Sequence, residues 1–542
     1  MAARLNLLFI AALLGGCFDP GEGVAPPAER VYFPVGLALD TESRFLYVAN
    51  SDFDLQYNAG TLQSFDLEEL RARVPRGCVA DDDCSSEEFC DLDPTSENLG
   101  LPSKTCVPSE GEFAGMPCGA FGERPAADRL LAPGRCGYID PVAVQDGGPA
   151  IAVDSVEIGA FARELIYRRN PNGEGRLFAT VAGDATLHWI DTVDGTLQCG
   201  QANNDGACDD RHRAGDDPER ENTRDLRLLP EPFALDASVD GRAILVSNQT
   251  SGAVSLFMND WSDAGPVLEF AVGDLPSRPV GVAHVGTSLL TLVDPEYSPG
   301  FLVTFRNSAN VVLVKVYDDA RSDPARPFAR AVGSSSISIN SVGTDSRGIV
   351  VDSSARTQAE LACGTQFGVD AACLTDEACR AAVDPGFFDC LKQVTDVPFD
   401  VYVANRTPPS LLVGQTHPVT NDNGTDDLPA FNQSIPLTAG PSRVVLGSII
   451  NAQGELERRV FVVCFDSRRI FIYDPVRRTV EAEVTTGRGP HALAVDTRHG
   501  LAYVGHFTDS FIGVIALDQR FPDTYATLVA TVARPTPPRA SK

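Results

Sequence analysis

The residues able to do chemistry in this chain of 542 residues are mainly its 14 cysteines and seven histidines. The cysteines fall in clusters. Six stand at Cys78, Cys84, Cys90, Cys106, Cys118 and Cys136, two at Cys199 and Cys208, and four at Cys363, Cys373, Cys379 and Cys390. Even-numbered local sets are what an exported chain uses for disulfides, and these allow 15, one and three pairings. The competing chemistry is zinc binding, but no paired C-x-x-C knuckles and no C-x-x-C-H haem attachment site occur. Cys464 stands alone in the run Val460-Phe461-Val462-Val463-Cys464 and reads as a small buried apolar residue.

The histidines, at 188, 212, 284, 417, 491, 499 and 506, never take the i, i+4 spacing of a helical zinc site. The motifs G-x-S-x-G, H-E-x-x-H and G-x-x-x-x-G-K-[ST] are all missing. The sequence therefore predicts no catalytic residue, no metal and no cofactor. Acidic loops are the remaining feature. Residues 78–112 carry ten carboxylates against Lys104, while 421–427 and 203–206 set Asn and Asp oxygens beside a glycine. Neither ends in the glutamate of a calcium-binding EF-hand loop, so all three are expected to be solvated acidic loops.

These residues must be placed by something large. Acidic residues number 74 and basic ones 44, a formal net charge of -30. That excludes non-specific nucleic-acid binding and does not favour contact with anionic lipid headgroups. Apolar residues make up 43 %, which suits a folded core, and 47 glycines with 38 prolines favour many short strands. The N-terminus reads as an export signal. Leu5 to Leu14 is apolar apart from Asn6, too short for a membrane span, and Leu14-Gly15-Gly16-Cys17 follows. This segment resembles the bacterial lipoprotein lipobox, which implies a signal peptide over 1–16 and a lipid on Cys17. Phe18, not Asp, follows the cysteine, and the resemblance then implies the outer membrane. Residues 17–30 are expected to form the lipidated, flexible tether.

One strand order recurs along the rest of the chain. Phe33 to Asp40, Phe45 to Asn50 and Gly60 to Asp66 are short β-type runs bounded by turn residues. The same order starts again at Pro232 and Pro490, and more weakly at Pro149, Pro279 and Pro441, with a seventh start near Ser336. A fourth run closes several units, as at Thr479 to Val484 and Thr524 to Val532. Four strands per unit at a spacing of roughly 40–50 residues mark a β-propeller. The three longest intervals hold the three cysteine clusters, so these are insertions into blades, at about 68–137, 197–224 and 356–396. The expected fold is all-β, a seven-bladed propeller over 31–535 with disulfide-rich loop insertions and a disordered tail at 536–542. Asn50, Asn248 and Asn405 recur after the second strand and read as turn residues, because asparagine tolerates left-handed backbone.

The phrases Leu46-Tyr47-Val48-Ala49-Asn50 and Tyr402-Val403-Ala404-Asn405, each with its upstream strand, resemble the YVTN-type seven-bladed β-propeller family. Some relatives in that family are lactonases, but no set of His, Glu and Arg carries over residue by residue. His491 begins a predicted innermost strand and could serve as a base in the channel, while the simpler reading is a turn residue after Gly489-Pro490. Alternating strand direction places all three insertions on one face and the N-terminus on the other. The expectation is a lipid-anchored cell-envelope module that binds protein or glycan without catalysis. The alternative is an envelope hydrolase of lactonase type, its site in the channel.

Overall fold

A computed structural model describes residues 24–92, 104–144, 149–170, 172–200, 206–216, 224–286, 289, 300–317, 326–339, 345–370, 373–374, 376–421 and 424–538. The signal peptide, Cys17 and the start of the tether lie outside the described residues, as do 203–205 and 539–542.

Seven four-stranded antiparallel sheets form the blades of a β-propeller. Blade 1 is Pro34–Leu39, Phe45–Asn50, Gly60–Asp66 and Ala152–Ile158; blade 2 is Ala162–Arg169, Gly175–Val181, Thr186–Val193 and a split outer strand, Thr196–Gln198 with Arg213–Ala214. Blade 3 is Pro232–Ala237, Ala243–Asn248, Ala253–Asp260 and Gly265–Val272, and blade 4 is Pro279–Val285, Gly300–Phe305, Asn310–Tyr317 and Phe328–Ser336. Blade 5 is Ser346–Asp352, Asp400–Arg406, Pro409–Asn421 and Gly424–Pro436. Blade 6 is Pro441–Ile450, Leu456–Cys464, Arg469–Asp474 and Thr479–Thr485, and blade 7 is Pro490–Asp496, Leu501–His506, Phe511–Ala516 and Leu528–Val532. The seven first strands neighbour one another in a closed ring around the axis.

The strands are apolar on both faces because every blade is sandwiched between two others. Successive side chains point to opposite faces. In the second strand of blade 1, Leu46 and Val48 pack with Ile512 and Val514 of blade 7, while Phe45, Tyr47 and Ala49 pack with Leu177 and Ala179 of blade 2. This is why the second strands read as near-continuous hydrophobic runs.

Two blade starts differ from the sequence expectation. Pro149 precedes the fourth strand of blade 1, which pairs with Gly60–Asp66 across the long insertion, so blade 2 begins at Ala162. The segment ending at Ser336 is the fourth strand of blade 4, and blade 5 begins at Ser346. In both places an insertion or a weak first strand displaces the apparent phase of the repeat.

The asparagines are not turn residues with left-handed backbone. Asn50, Asn248 and Asn405 are fully buried and end their strands. Each clasps the segment that leads into its own blade. Asn50 Oδ1 accepts the Tyr32 N–H at 2.9 Å, Asn248 Nδ2 donates to the Leu229 carbonyl at 2.7 Å, and Asn405 Oδ1 accepts the Asp345 N–H at 3.2 Å. His506 holds the same register position in blade 7, where its Nε2 accepts the Gly487 N–H at 3.1 Å. Cys464 holds it in blade 6, and burial pushes its thiol up to about 12, which makes it inert.

Six disulfides lie within the cysteine clusters: Cys78–Cys90, Cys84–Cys106, Cys118–Cys136, Cys199–Cys208, Cys363–Cys390 and Cys373–Cys379. The sulfurs of Cys78, Cys84 and Cys106 crowd within 4.8 Å because the first two bridges staple one two-stranded ribbon, Glu88–Leu92 with Lys104–Pro108. The six-cysteine insertion joins strands three and four of blade 1, and the four-cysteine insertion joins strands one and two of blade 5. Both therefore leave the disc on one face, called here the insertion face.

The expectation of three insertions on that face fails in two respects. The two-cysteine loop splits the outer strand of blade 2 and lies at the rim, where the Glu157 N–H donates to the Gly206 carbonyl at 2.8 Å. The second half of the six-cysteine insertion runs down the outer edge of blade 7. There the Ile139 N–H donates to the Thr531 carbonyl at 2.9 Å, and Ala533 returns the bond at 2.9 Å. Arg124 is buried in this segment and donates to the carbonyls of Ala132 and Pro133, each at 2.7 Å, and to Thr531 Oγ1 at 2.9 Å. Gly487 lets the chain through, because a Cβ there would lie 2.6 Å from the Leu131 carbonyl. The insertion thus fastens the last blade to the first.

The four-cysteine insertion is helical, with Ser354–Phe367, Glu377–Ala381 and Pro385–Val394 around Phe387, Leu391 and Val394. Arg356 bolts it to the long hairpin of blade 5 with two bonds to the Asp427 carboxylate, at 2.7 and 2.9 Å, and stacks 3.8 Å over Phe399. Asp426 pairs with Lys315 at 3.0 Å. The 421–427 loop is therefore no solvated acidic loop where it can be described, since Asp426 and Asp427 are buried partners of cations, while Asp422 lies outside the described residues.

Candidate functional site

A cavity of about 570 Å³ opens where the channel meets the face opposite the insertions. Its lining is set by a defect repeated in every blade. The first strand pairs in register with the second, except for a β-bulge directly after its first residue. A bulge leaves a residue unpaired and re-aims its side chain. The residues so released are Val35, Arg163, Phe233 with Ala234, Val280, Arg347, Ser442 and His491, and all of them line the cavity. Phe53, Arg306, Arg406, Phe465 and Phe507 join them from the ends of the second strands and the turns that follow.

The result is a mouth with two kinds of wall. Blades 6, 7 and 1 contribute aromatic rings. Phe507 lies 5.1 Å from Phe53, 6.3 Å from Phe465 and 6.0 Å from His491, centroid to centroid. The other wall is basic. Arg163, Arg306, Arg347, Arg406 and Arg443 face two carboxylates, Glu164 and Asp236. Both carboxylates are engaged. Glu164 accepts Arg443 Nη1 across the channel at 2.6 Å, and Asp236 accepts Arg168 Nη2 at 2.5 Å and the His284 N–H at 2.8 Å. Arg347 pairs with Asp345 at 2.8 Å and Arg406 with Asp466 at 2.5 Å, both acids standing behind the mouth. The Nε atoms of Arg306 and Arg347 are buried and have no hydrogen-bond partner among the described residues. Phe233 is flanked by Arg163 and Arg306, at 5.9 and 5.7 Å from its centroid.

Electrostatics sort these groups by role. Burial, aided by Arg443 and Arg163, drives the His491 pKa down to about 3. The ring is therefore neutral, and its Nδ1–H donates to the Val35 carbonyl at 3.1 Å. A base that weak takes few protons near neutral pH. Burial raises Glu164, opposed by Arg443. Burial also lowers Arg306 to about 10, helped by the guanidinium of Arg347, and leaves it charged. Arginine side chains lining a partly desolvated cavity suit an anionic oxygen ligand.

Sequence reasoning singled out His491 here and missed all five arginines. The signal was the residue after the repeated proline, as in Pro34-Val35, Pro232-Phe233 and Pro490-His491, where the bulge falls in blade after blade. The twelve clustered cysteines are structural and stay clear of the cavity.

No family model matches the chain, and no curated protein matches it. Among solved structures, a protein from Lactobacillus plantarum is 12 % identical, with 85 % of this chain and 86 % of that one covered at a TM-score of 0.39. A "putative 6-phosphogluconolactonase" from Bacteroides uniformis is also 12 % identical, with coverage of 86 % and 88 % and a TM-score of 0.40. Sqt1 of Saccharomyces cerevisiae is 8 % identical over 96 % and 92 %, with a TM-score of 0.44. At these identities and scores no activity is carried over.

Proposed function

We propose that this chain is a lipid-anchored binding module of the cell envelope, a non-catalytic scaffold of the YVTN-type propeller kind for envelope protein or glycan. Its channel mouth is a receptor for an anionic group. The observation that supports this reading is the charge distribution in the mouth, where both lining carboxylates are already paired and, of five arginines, Arg163 and Arg306 stand outside the ion pairs among the described residues. Six disulfides and the absence, among the described residues, of a helix long and apolar enough to cross a membrane agree with an extracytoplasmic chain tied down by other means. Cys17 as the lipidated residue supplies that attachment on the outer membrane.

The test is calorimetric titration with glycerol phosphate and inorganic phosphate, run beside turnover assays on a panel of lactones. Binding without turnover is the expected result. Hydrolysis of a lactone, abolished by Glu164→Gln, would overturn it in favour of a lactonase-type hydrolase. One observation favours that second reading, since burial raises the Glu164 carboxyl in the same cavity that holds His491. A proton donor of that kind is what leaving-group protonation needs.

A further inference from the structure

The N-terminal segment joins the disc on the mouth face. The Val24 carbonyl accepts the Asn58 N–H at 3.1 Å, and Gln63 Nε2 donates to the carbonyls of Ala28 at 2.6 Å and Arg30 at 3.2 Å. Asn58 lies in the turn between the second and third strands, on the mouth side of blade 1, and Gln63 in the middle of the third strand. The tether expected over 17–30 is therefore docked from Val24 onward. Seven Cα steps separate Val24 from Cys17, at most roughly 25 Å of extended chain. A lipid on Cys17 thus holds the mouth, not the insertions, close to the bilayer.

The rim at the point of attachment exposes apolar side chains on either side of the Asp54 carboxylate. Phe53, which lines the cavity, is 46 % exposed, and Leu55 in the same turn is 61 % exposed; Val24, bonded to Asn58 of that turn, is 68 % exposed. Exposed apolar side chains beside arginines match the chemistry of a membrane interface, where rings and aliphatic groups enter the acyl boundary and cations meet phosphate. The net charge of -30 opposes such contact for the chain as a whole. The structure gathers five arginines at an opening on the face where the N-terminal segment joins the disc.

We propose that the mouth docks on the bilayer carrying the Cys17 lipid and takes the phosphate of an anionic phospholipid headgroup against Arg306 and Arg347, with Phe53 and Leu55 entering the interface. The inference rests on the anion-receptor reading and on anchoring at Cys17. Docking holds the disc flat and turns the stapled insertions outward, where a partner meets them first.

The experiment uses the full chain carrying Cys17→Ser, so that no lipid contributes to binding. It is mixed with vesicles of phosphatidylcholine alone, or with about 30 mol % phosphatidylglycerol, and floated. Binding to the anionic vesicles is expected, with little to phosphatidylcholine. Arg306→Glu and Arg347→Glu should each weaken it roughly tenfold, whereas Arg330→Glu on an exposed outer strand should not. Phe53→Ser should weaken vesicle binding but leave glycerol phosphate binding intact. Glycerol phosphate binding through Arg306 without any vesicle binding would mean a soluble anion and overturn the membrane docking. Vesicle binding indifferent to Arg306 and Arg347 would overturn it too. The mass of the wild-type protein from membranes reports lipidation separately, so failure of anchoring is distinguishable from failure of docking. Loss of glycerol phosphate binding marks failure of the anion-receptor reading.

Discussion

Replacing Arg124 by Met should unfasten the propeller where its first and last blades meet. The substitution roughly conserves volume, so lost hydrogen bonds and not a cavity decide the effect. Arg124 donates three bonds of 2.7–2.9 Å and covers the Tyr138 ring at 4.6 Å. Burial lowers its pKa to about 10, so it is a cation at neutral pH. A hydrogen bond to a charged group contributes about 1.5–3 kcal/mol, and orphaned buried carbonyls cost more than solvated ones. Three such bonds, discounted for relaxation of the loop, give about 3–5 kcal/mol. The loss is local, because the other blade interfaces keep their cores. Amide hydrogen exchange is the assay. In Arg124→Met, exchange over 119–139 and 528–533 should accelerate together, by about two to four orders of magnitude. Thr531→Val removes one partner and should cost about 1 kcal/mol. Acceleration confined to 119–139, with the blade 7 outer strand unchanged, would refute the view that this insertion closes the ring.

Other substitutions and conditions test separate parts of the structure. Cys17→Ser should abolish lipidation and release the protein from membranes in a high-salt wash, read by fractionation and intact mass. Loss of Cys118–Cys136, which closes 18 residues beside Arg124, should cost about 3 kcal/mol in urea unfolding, whereas loss of Cys373–Cys379, six residues apart, should cost less. Burial depresses His284 to about 4 and His491 and His506 to about 3, so the folded state stays neutral where the unfolded chain takes up protons below about 6.5. Stability should therefore fall from pH 6.5 toward 4, by at most about 1.4 kcal/mol per pH unit for each histidine. Asp52, raised to about 6 by burial, opposes this between pH 6 and 4, as do the raised Glu164 and Glu269, whereas the lowered His212 adds to it. Urea unfolding at three pH values across that window checks the slope, and a flat profile would contradict it.

The fold was legible because a propeller repeats its strand order, and the starts at Pro34, Pro232, Pro279, Pro441 and Pro490 each open a first strand. Legibility failed where the repeat was interrupted. The fourth strand of blade 1 lies 85 residues after the third, and only its pairing with Gly60–Asp66 shows where it belongs. The asparagines were visible as a recurrence, but a clasp and a turn leave the same trace in sequence. What separates them is burial, which depends on the neighbouring blades. The basic mouth was hidden for a different reason. Its arginines come from blades 2, 4, 5 and 6, and nothing local in sequence joins Arg163 to Arg443. A net charge of -30 also averages over the surface and conceals the convergence of positive groups at the mouth.

The disc divides its work between its faces by two different uses of the same strands. On the insertion face the long connections carry structure of their own, stapled by disulfides and bolted down by Arg356, and they offer shape. On the mouth face the connections are mostly short, and the backbone itself supplies the site, since a bulge at the start of each first strand releases one or two side chains inward. A site assembled in this way exists only while the ring is closed. The ion pair between Arg443 of blade 6 and Glu164 of blade 2 spans the channel past blades 7 and 1, across the seam that Arg124 fastens. An anion drawn to Arg443 competes with Glu164 for it, and a seam that opens separates the two outright. If the mouth binds an anion as proposed, closure of the seam and affinity of the mouth are coupled through one salt bridge, and the six-cysteine insertion supports binding although it never reaches the cavity.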